Sequence, residues 1–560
     1  MVIMDVALQL AAMATVGSWA RDDVADPAGG LQRAVNAAVA SRASKFVVPP
    51  GDYRFGNRTF LIADAANIVL TTAGATLWFE GALGGVVLMR CHNVTFQGFA
   101  LDRDPPPWIE AKVTGSTSRS QTFSIPEGWS TRLEKWYTTG GATTLSPLSY
   151  RFPSAPDYDG LPWLDRGHLG DCGSIDFDKV HWTSARTFEH ADGCSDRWAV
   201  NDTAIFIVWQ GFNYVVANSS LVVTDSLVVR ASGYIAVAEL DGGGAHTYKN
   251  VSVVPAIGRT IASTADGFHS SDVEFGPTLE GCRFSRLLDD FFNVQNTFMF
   301  VLNRSGTELT VVIPHTNDQL VDGFTDLWYG TSEPLRRLQP GDKLRFFDPL
   351  TFAHLGDVAV AKRPQQVPAA AQSALGKLAD GLFDAVSSPP YDLPATQPER
   401  YPVQHWRSSV YKVTLVSAPP EPSAKSRGLP VRLIVESGRS SAVGARVRNS
   451  RFDHSSGLFG RWKSSHSELR GNTFHHFSGT LQLEVQMIPS FYEGPLLITN
   501  VTIANNTFFV PAGSPSDASE FIWANTKFTT ASGIVVENNT VAERVQRPAE
   551  SAVQSWGASA

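Results

Sequence analysis

Cysteine is scarce in this chain. Four residues in 560, Cys91, Cys172, Cys194 and Cys282, are too few for a disulfide-built scaffold, so the fold must rest on a packed core. A basic surplus is missing as well: 46 Lys and Arg face 54 Asp and Glu, for a formal net charge of −8. Nucleic acid or an anionic membrane as main partner would need a basic surface, so both are excluded. No stretch approaches the roughly 18 uninterrupted apolar residues of a membrane span. No G-x-S-x-G, H-E-x-x-H or P-loop pattern occurs, which removes three common catalytic frameworks.

What the chain does have is apolar content, 43%, arranged as short β-branched runs separated by polar turns. The runs include N-I-V-L (67–70), A-T-L-W-F (75–79), G-V-V-L-M (85–89), N-V-T-F (93–96) and S-L-V-V-T-D-S-L-V-V (220–229). Leu227 and Val251 are 24 residues apart in matching contexts, and Asn449 and Asn472 are 23 apart in N-S-R-F and G-N-T-F. The phrase returns as A-N-N-T-F (504–508) and E-N-N-T-V (537–541). A repeat near 23 residues, each with an apolar strand and an Asn-rich turn, predicts a stacked coil. A sandwich would show strands every 8–12 residues without that long period. The expected fold is all-β, a right-handed parallel β-helix. Leu31, Ala34, Val35, Ala38 and Val39 have helical spacing; this helix is expected to cap the first coil, which would otherwise expose a strand edge.

The repeat divides the chain. Residues 1–20, an apolar segment ending Ser18-Trp19-Ala20, are expected to be a signal peptide for secretion, although no Lys or Arg precedes the apolar part. The cap and first coils follow over 21–103, central coils over 201–297, last coils over 444–545, and a tail over 546–560. Two segments without coil phrases, 104–200 and 298–443, are expected to be inserted β-barrel-like modules walling a cleft, the second holding one amphipathic helix between its prolines. Cys172 and Cys194 flank a loop-like stretch and are the disulfide candidates; Cys91 and Cys282 begin apolar runs and suit a core. Nine N-x-S/T sequons, from Asn57 to Asn538, support secretion as a glycoprotein, and several sit where a coil turn would favour Asn.

Carboxylates stand out against this background. Asp266 lies in A-D-G-F-H-S, and Asp289-Asp290 follow 23 and 24 residues later in L-L-D-D-F-F-N-V. One coil apart, they would stand over one another at the inter-strand spacing of about 4.8 Å. Glycoside hydrolysis needs a proton donor and a second carboxylate, and carboxylates this crowded do not all ionise together, which suits one of them to donating. Consecutive acids in a solvated turn are the plain alternative; the bracketing Leu287, Leu288, Phe291 and Phe292 argue against it.

The phrases A-E-L (238–240), G-R-T-I-A-S-T-A-D-G-F-H-S (258–270) and L-L-D-D-F-F-N-V (287–294) resemble the right-handed β-helix α-1,3-galactosidases, of the pectin-lyase-like superfamily. The likeness extends to D-R-D-P-P-P-W (102–108) and P-G-D-K-L-R-F-F (340–347). It implies three catalytic aspartates, matching Asp266, Asp289 and Asp290, and inverting, exo-type hydrolysis of a terminal α-linked galactoside without metal or organic cofactor. The family usually has His-Gly after N-V, where Gln295-Asn296 stand here.

Further candidates for substrate binding are Glu239, one coil before Asp266; His269, three residues after it; Asn293, which would reach the sugar or join a turn ladder; Arg461, Trp462 and Lys463 in G-R-W-K-S-S; and Tyr492 and Glu493. A cation beside an aromatic suits hydroxyl recognition and ring stacking. His475-His476 show no Cys or carboxylate at metal spacing, and no metal is expected. The expected partner is an oligosaccharide or polysaccharide, bound by a monomer or small homo-oligomer. The rival readings are a polysaccharide lyase, which needs a Lys or Arg base and usually Ca²⁺; a polygalacturonase-type hydrolase, which should carry a G-H-G phrase; and a non-catalytic carbohydrate-binding or surface β-helix protein.

Overall fold

The computed structural model describes residues 26–80, 84–129, 148–152, 180–191, 199–207, 211–313, 334–368, 409–426, 431–455, 458–483, 486–488, 491–510, 522–523 and 530–543. Cys172, Cys194, the expected signal peptide, the C-terminal tail and the helix expected in the second insert lie outside them.

Three sheets form the body: two of ten parallel strands and one of eleven, nine of them parallel and two an antiparallel hairpin at its side. The chain visits each in turn. Lys45–Val48, Gly51–Gly56 and Thr59–Ala63 make one coil, and Ala66–Thr72, Ala75–Phe79 and Gly85–Met89 stack in parallel on it. The register step from Lys45 to Val69 is one repeat of the sequence pattern. This is a parallel β-helix, its three sheets separately hydrogen-bonded. Strand alternation sends one face inward, so Phe60, Val86, Tyr214, Val237, Phe268, Phe292 and Trp462 enter a single core.

Stacking like on like gives the core its order. Phe284, Phe452, Phe474 and Phe508 form a ladder with centroid steps of 5.5, 4.9 and 5.2 Å and rings within 10° of parallel, the spacing that the strand separation imposes. Beside it runs an asparagine ladder: the Asn472 Nδ2–H donates to Asn506 Oδ1 at 3.0 Å, and the Asn506 Nδ2–H to Asn539 Oδ1 at 2.9 Å. At the turns, Asn67, Asn93, Asn250, Asn449 and Asn538 have φ between 50° and 56°, the left-handed region Asn tolerates better than most residues. The sequon residues Asn93, Asn218, Asn250, Asn500, Asn505 and Asn538 thus serve turn geometry. Cys91 and Cys282 are buried free thiols in the core.

The helix Pro27–Ala40 packs Ala28, Leu31, Val35 and Ala38 into the same core, with the Asp26 carboxylate accepting from Gly29 N–H at its N-terminus. Two antiparallel sheets interrupt the coils. One of six strands runs from Trp108–Ser116 to Thr203–Ile207, between Ala100–Arg103 and Tyr214–Ala217. The other, of seven strands, runs from Met299–Ser305 to Leu433–Ser437. In this second sheet Val360 bridges Leu415, and Ala361 N–H donates to Thr414 O, joining two strands far apart in the sheet order. In the first, the end strands Leu148–Phe152 and Val180–Trp182 have no mutual pairing among the described residues.

Candidate functional site

Register decides what meets at the carboxylates. Phe268 pairs with Phe292 in parallel strands, which sets Asp266 beside Asp290, and Gly267 N–H donates to Asp290 O at 3.0 Å. One carboxylate oxygen from each of Asp266, Asp289 and Asp290 lies within 4.8 Å of the others. Asp266 and Asp290 are buried and Asp289 is half-buried. The sequence expectation of three converging carboxyls matches this placement.

The outward face of the same sheet supplies the surroundings. Ala238, His269, Asn293, Arg461 and Gln482 stand in one line across consecutive coils. The His269 Nδ1 lies 2.8 Å from Asp266 Oδ2. The Arg461 Nε lies 3.1 Å from Asp290 Oδ2, and its Nη1 is 3.7 Å from Glu493 Oε2. Burial opposes the Arg461 charge, but Asp290, Glu493, Asp289 and Asp266 together hold its pKa above the ordinary value. Glu493 comes from a hairpin strand, Phe491–Gly494, that pairs antiparallel with Asn296 and Thr297. Its carboxylate accepts from the buried Lys463 ammonium and from the Asn293 amide at 3.4 Å. Burial raises the Glu493 pKa, yet Lys463 and Arg461 outweigh it and bring it down to about 2. Lys463 shifts downward, because burial exceeds the support of Glu493.

Several expectations are corrected. Glu239 does not flank the cleft: it stands in register with the core residue Val216 and points inward. There it is fully buried, accepting from Ser270 Oγ at 2.5 Å and Tyr248 Oη at 3.1 Å. Burial pushes its carboxyl up to about 8, against those two hydrogen bonds. Trp462 also faces the core, edge-on to Phe292 at 5.5 Å, with its indole N–H donated to Ser467 Oγ. Alternation requires this, because Arg461 and Lys463 on either side face outward. Asn293 lies mid-strand on the outward face, away from the turn ladder. Of Tyr492 only the strand position is described. Sequence reasoning named Arg461 and Lys463 but gave no reason to place them at Asp266; they arrive from a coil beyond the second antiparallel sheet. It also passed over Gln295, whose amide donates to Ser271 Oγ at 2.9 Å on the same face; strand alternation from Asn293 would have found it.

Among the described residues, two groups have donor sets for a cation: the three aspartates, all oxygen, and a second set, Asp453, His454 and His476. In the first, the Arg461 guanidinium already supplies positive charge at Asp290.

No protein-family model and no curated protein matches the chain. Solved structures similar in part include a mannuronan C-5 epimerase A-module of Azotobacter vinelandii, at 9% identity over 93% of this chain and 94% of that one, with a TM-score of 0.27. A surface adhesin of Streptococcus pneumoniae matches at 8% identity over 93% and 88%, TM-score 0.26. A tailspike of an Acinetobacter baumannii bacteriophage, in complex with capsular saccharide, matches at 9% over 92% and 67%, TM-score 0.14. The sheet pairing above, and not these likenesses, establishes the parallel β-helix. Among the described residues no helix is long and apolar enough to cross a membrane.

Proposed function

We propose that this chain is a secreted glycoside hydrolase, a right-handed β-helix enzyme that removes a terminal α-linked galactoside or similar sugar with inversion. The observation that carries this reading is the convergence of Asp266, Asp289 and Asp290 within 4.8 Å on an outward face, beside a fixed cation and an imidazole. One aspartic acid protonates the glycosidic oxygen as the C1–O bond breaks. A second takes a proton from the water that attacks C1. The Arg461 guanidinium holds Asp290 oriented, and His269 holds Asp266.

A neutral sugar suits the charge balance. Among the described residues, four carboxylates, Asp266, Asp289, Asp290 and Glu493, meet two basic side chains, Arg461 and Lys463, so a polyanionic uronate would be repelled. Both antiparallel regions are anchored to the coils around Asp266. Glu110 of the first antiparallel sheet accepts from the Thr260 N–H and hydroxyl. Arg337, from the second insert, donates to Gly242 O and Asp272 O. Both contacts flank the coil bearing Asp266. β-Elimination would need a free basic group at the cluster, but Arg461 is held protonated by its carboxylates and the Lys463 nitrogen, though burial lowers its pKa, is engaged by Glu493.

Inversion rests on the family resemblance; the crowding of the aspartates is tighter than the ~6.5–9.5 Å usual between an inverting pair. The test is hydrolysis of nitrophenyl α-galactoside and α-1,3-galactose-capped oligosaccharides, with the product anomer followed by NMR. Release of β-galactose, lost in Asp290→Asn at unchanged far-UV dichroism, is the expected result. Full turnover by that variant would remove the catalytic assignment. An α-product would overturn inversion alone, and an unsaturated product would mean a lyase.

A further inference from the structure

We infer that Asp453, His454 and His476 form a binding site for a borderline divalent transition-metal ion of the zinc class, separate from the three aspartates. Stacking of coils assembles it. Asp453 pairs with His475 in parallel strands, so His454 and His476 occupy matching turn positions one coil apart. Both have left-handed backbones, φ 62° and 46°. Their rings stack with centroids 4.0 Å apart and planes 15° from parallel. All three side chains are buried, and one donor atom from each lies within 4.8 Å of the other two.

The chemistry narrows the occupant. Two imidazoles and one carboxylate favour zinc, cobalt or ferrous iron over calcium or magnesium, which prefer oxygen alone. Metal–donor bonds of about 2.0–2.2 Å hold three donors on one ion about 3.4–3.6 Å apart, so the set closes by up to about 1.4 Å and the stacked rings tilt to turn their in-plane lone pairs towards the ion. The Asp453 carboxylate lies 2.6 Å from His454 Nδ1 and 3.3 Å from Arg451 Nη2. On binding, the proton shared by Asp453 and His454 passes to solvent, and Arg451, half exposed, swings clear. The site also has a structural target: the next residue, Ser455, donates its hydroxyl to Asp289 O at 2.5 Å and its N–H to His476 O at 3.0 Å. An ion there would clamp the turn under the carboxylate cluster.

This inference does not depend on the hydrolase reading, and its test does not use turnover. Chelator-treated full-length protein is titrated with Co²⁺, following visible d–d absorption, and with Zn²⁺ by calorimetry. One equivalent bound, with a rise in Tm, is expected. His476→Gln and Asp453→Asn should each weaken binding at least tenfold at unchanged far-UV dichroism, while Asp266→Asn keeps it. If wild type binds neither ion below millimolar concentration, the cluster is a proton-sharing network and the inference falls. If Asp266→Asn abolishes binding while both cluster variants retain it, the ion belongs to the aspartates and the inference falls too.

Discussion

Glu239→Gln should stabilise the protein, and by an amount that grows with pH. Its carboxyl is fully buried between Ser270 and Tyr248, and its pKa is raised from 4.5 to about 8. Above pH 4.5 the unfolded chain releases this proton while the folded chain keeps it. The folded state therefore binds more protons, and stability falls as pH rises, levelling only above about 8. Each pH step is worth ~1.4 kcal/mol, so the side chain costs ~3 kcal/mol between pH 4.5 and 7 and ~5 kcal/mol by pH 8 as a ceiling. A glutamine mimics the protonated acid and lacks the titration. Urea unfolding of both proteins at pH 5, 6, 7 and 8 isolates the term, because the difference between them cancels other groups such as Glu436, which burial raises to about 7. The wild type should lose ground to the variant by ~1 kcal/mol per pH step. A difference that stays flat from pH 5 to 8 would refute the buried placement. A loss of sugar affinity in the variant at every pH would return Glu239 to the cleft.

Glu493→Gln should show the opposite slope. Because Lys463 and Arg461 lower Glu493 to about 2, its stabilisation is present above the unfolded value of about 4.5 and is lost as pH falls towards 2, so acid unfolding should lose its steepest part in the variant. Arg461→Met should cost ~3–5 kcal/mol in urea, since it strands the buried Asp290 without its cation and leaves Glu493 with Lys463 alone, and should also suppress any turnover. Asn506→Ala removes the middle rung of the amide ladder, taking the side-chain acceptor from Asn472 N–H and the side-chain donor from Leu469 O; ~2–4 kcal/mol is expected by the same measurement. Phe452→Ala, which deletes a ring packed on Phe284, Phe291, Phe292 and Phe474, should cost ~3–5 kcal/mol.

The coil repeat was legible because it is a local property: an apolar strand and an Asn-bearing turn recur in each coil. Asp266 and Asp290 were legible for the same reason, with no insert between them. Side-chain direction was less so. Glu239 is a carboxylate within one coil of the cluster, and only its register with Val216 shows that it faces the core. Trp462 sits between two site cations, and strand alternation alone turns it inward. His475-His476 show no carboxylate at metal spacing in the sequence, because the contact of His476 with Asp453 comes from coil stacking, not from a compact ligand motif. The Arg461–Asp290 pairing had no sequence signal either, since a whole antiparallel sheet separates the two.

That separation has a consequence for assembly. A solenoid grows rung by rung, each coil templated by its predecessor. Asn293 and Arg461 are neighbouring rungs in space, yet the chain between them must leave, build another sheet and return. Pairing at this step closes a long detour, and lengthening that detour further adds little entropy cost, since closure grows only logarithmically with length. The seam divides the molecule into a part that carries the aspartates and a part that carries their cations. Two polypeptides cut within the insert and mixed would regain activity only by docking at that rung, which would make turnover a direct reporter of the last joint to close.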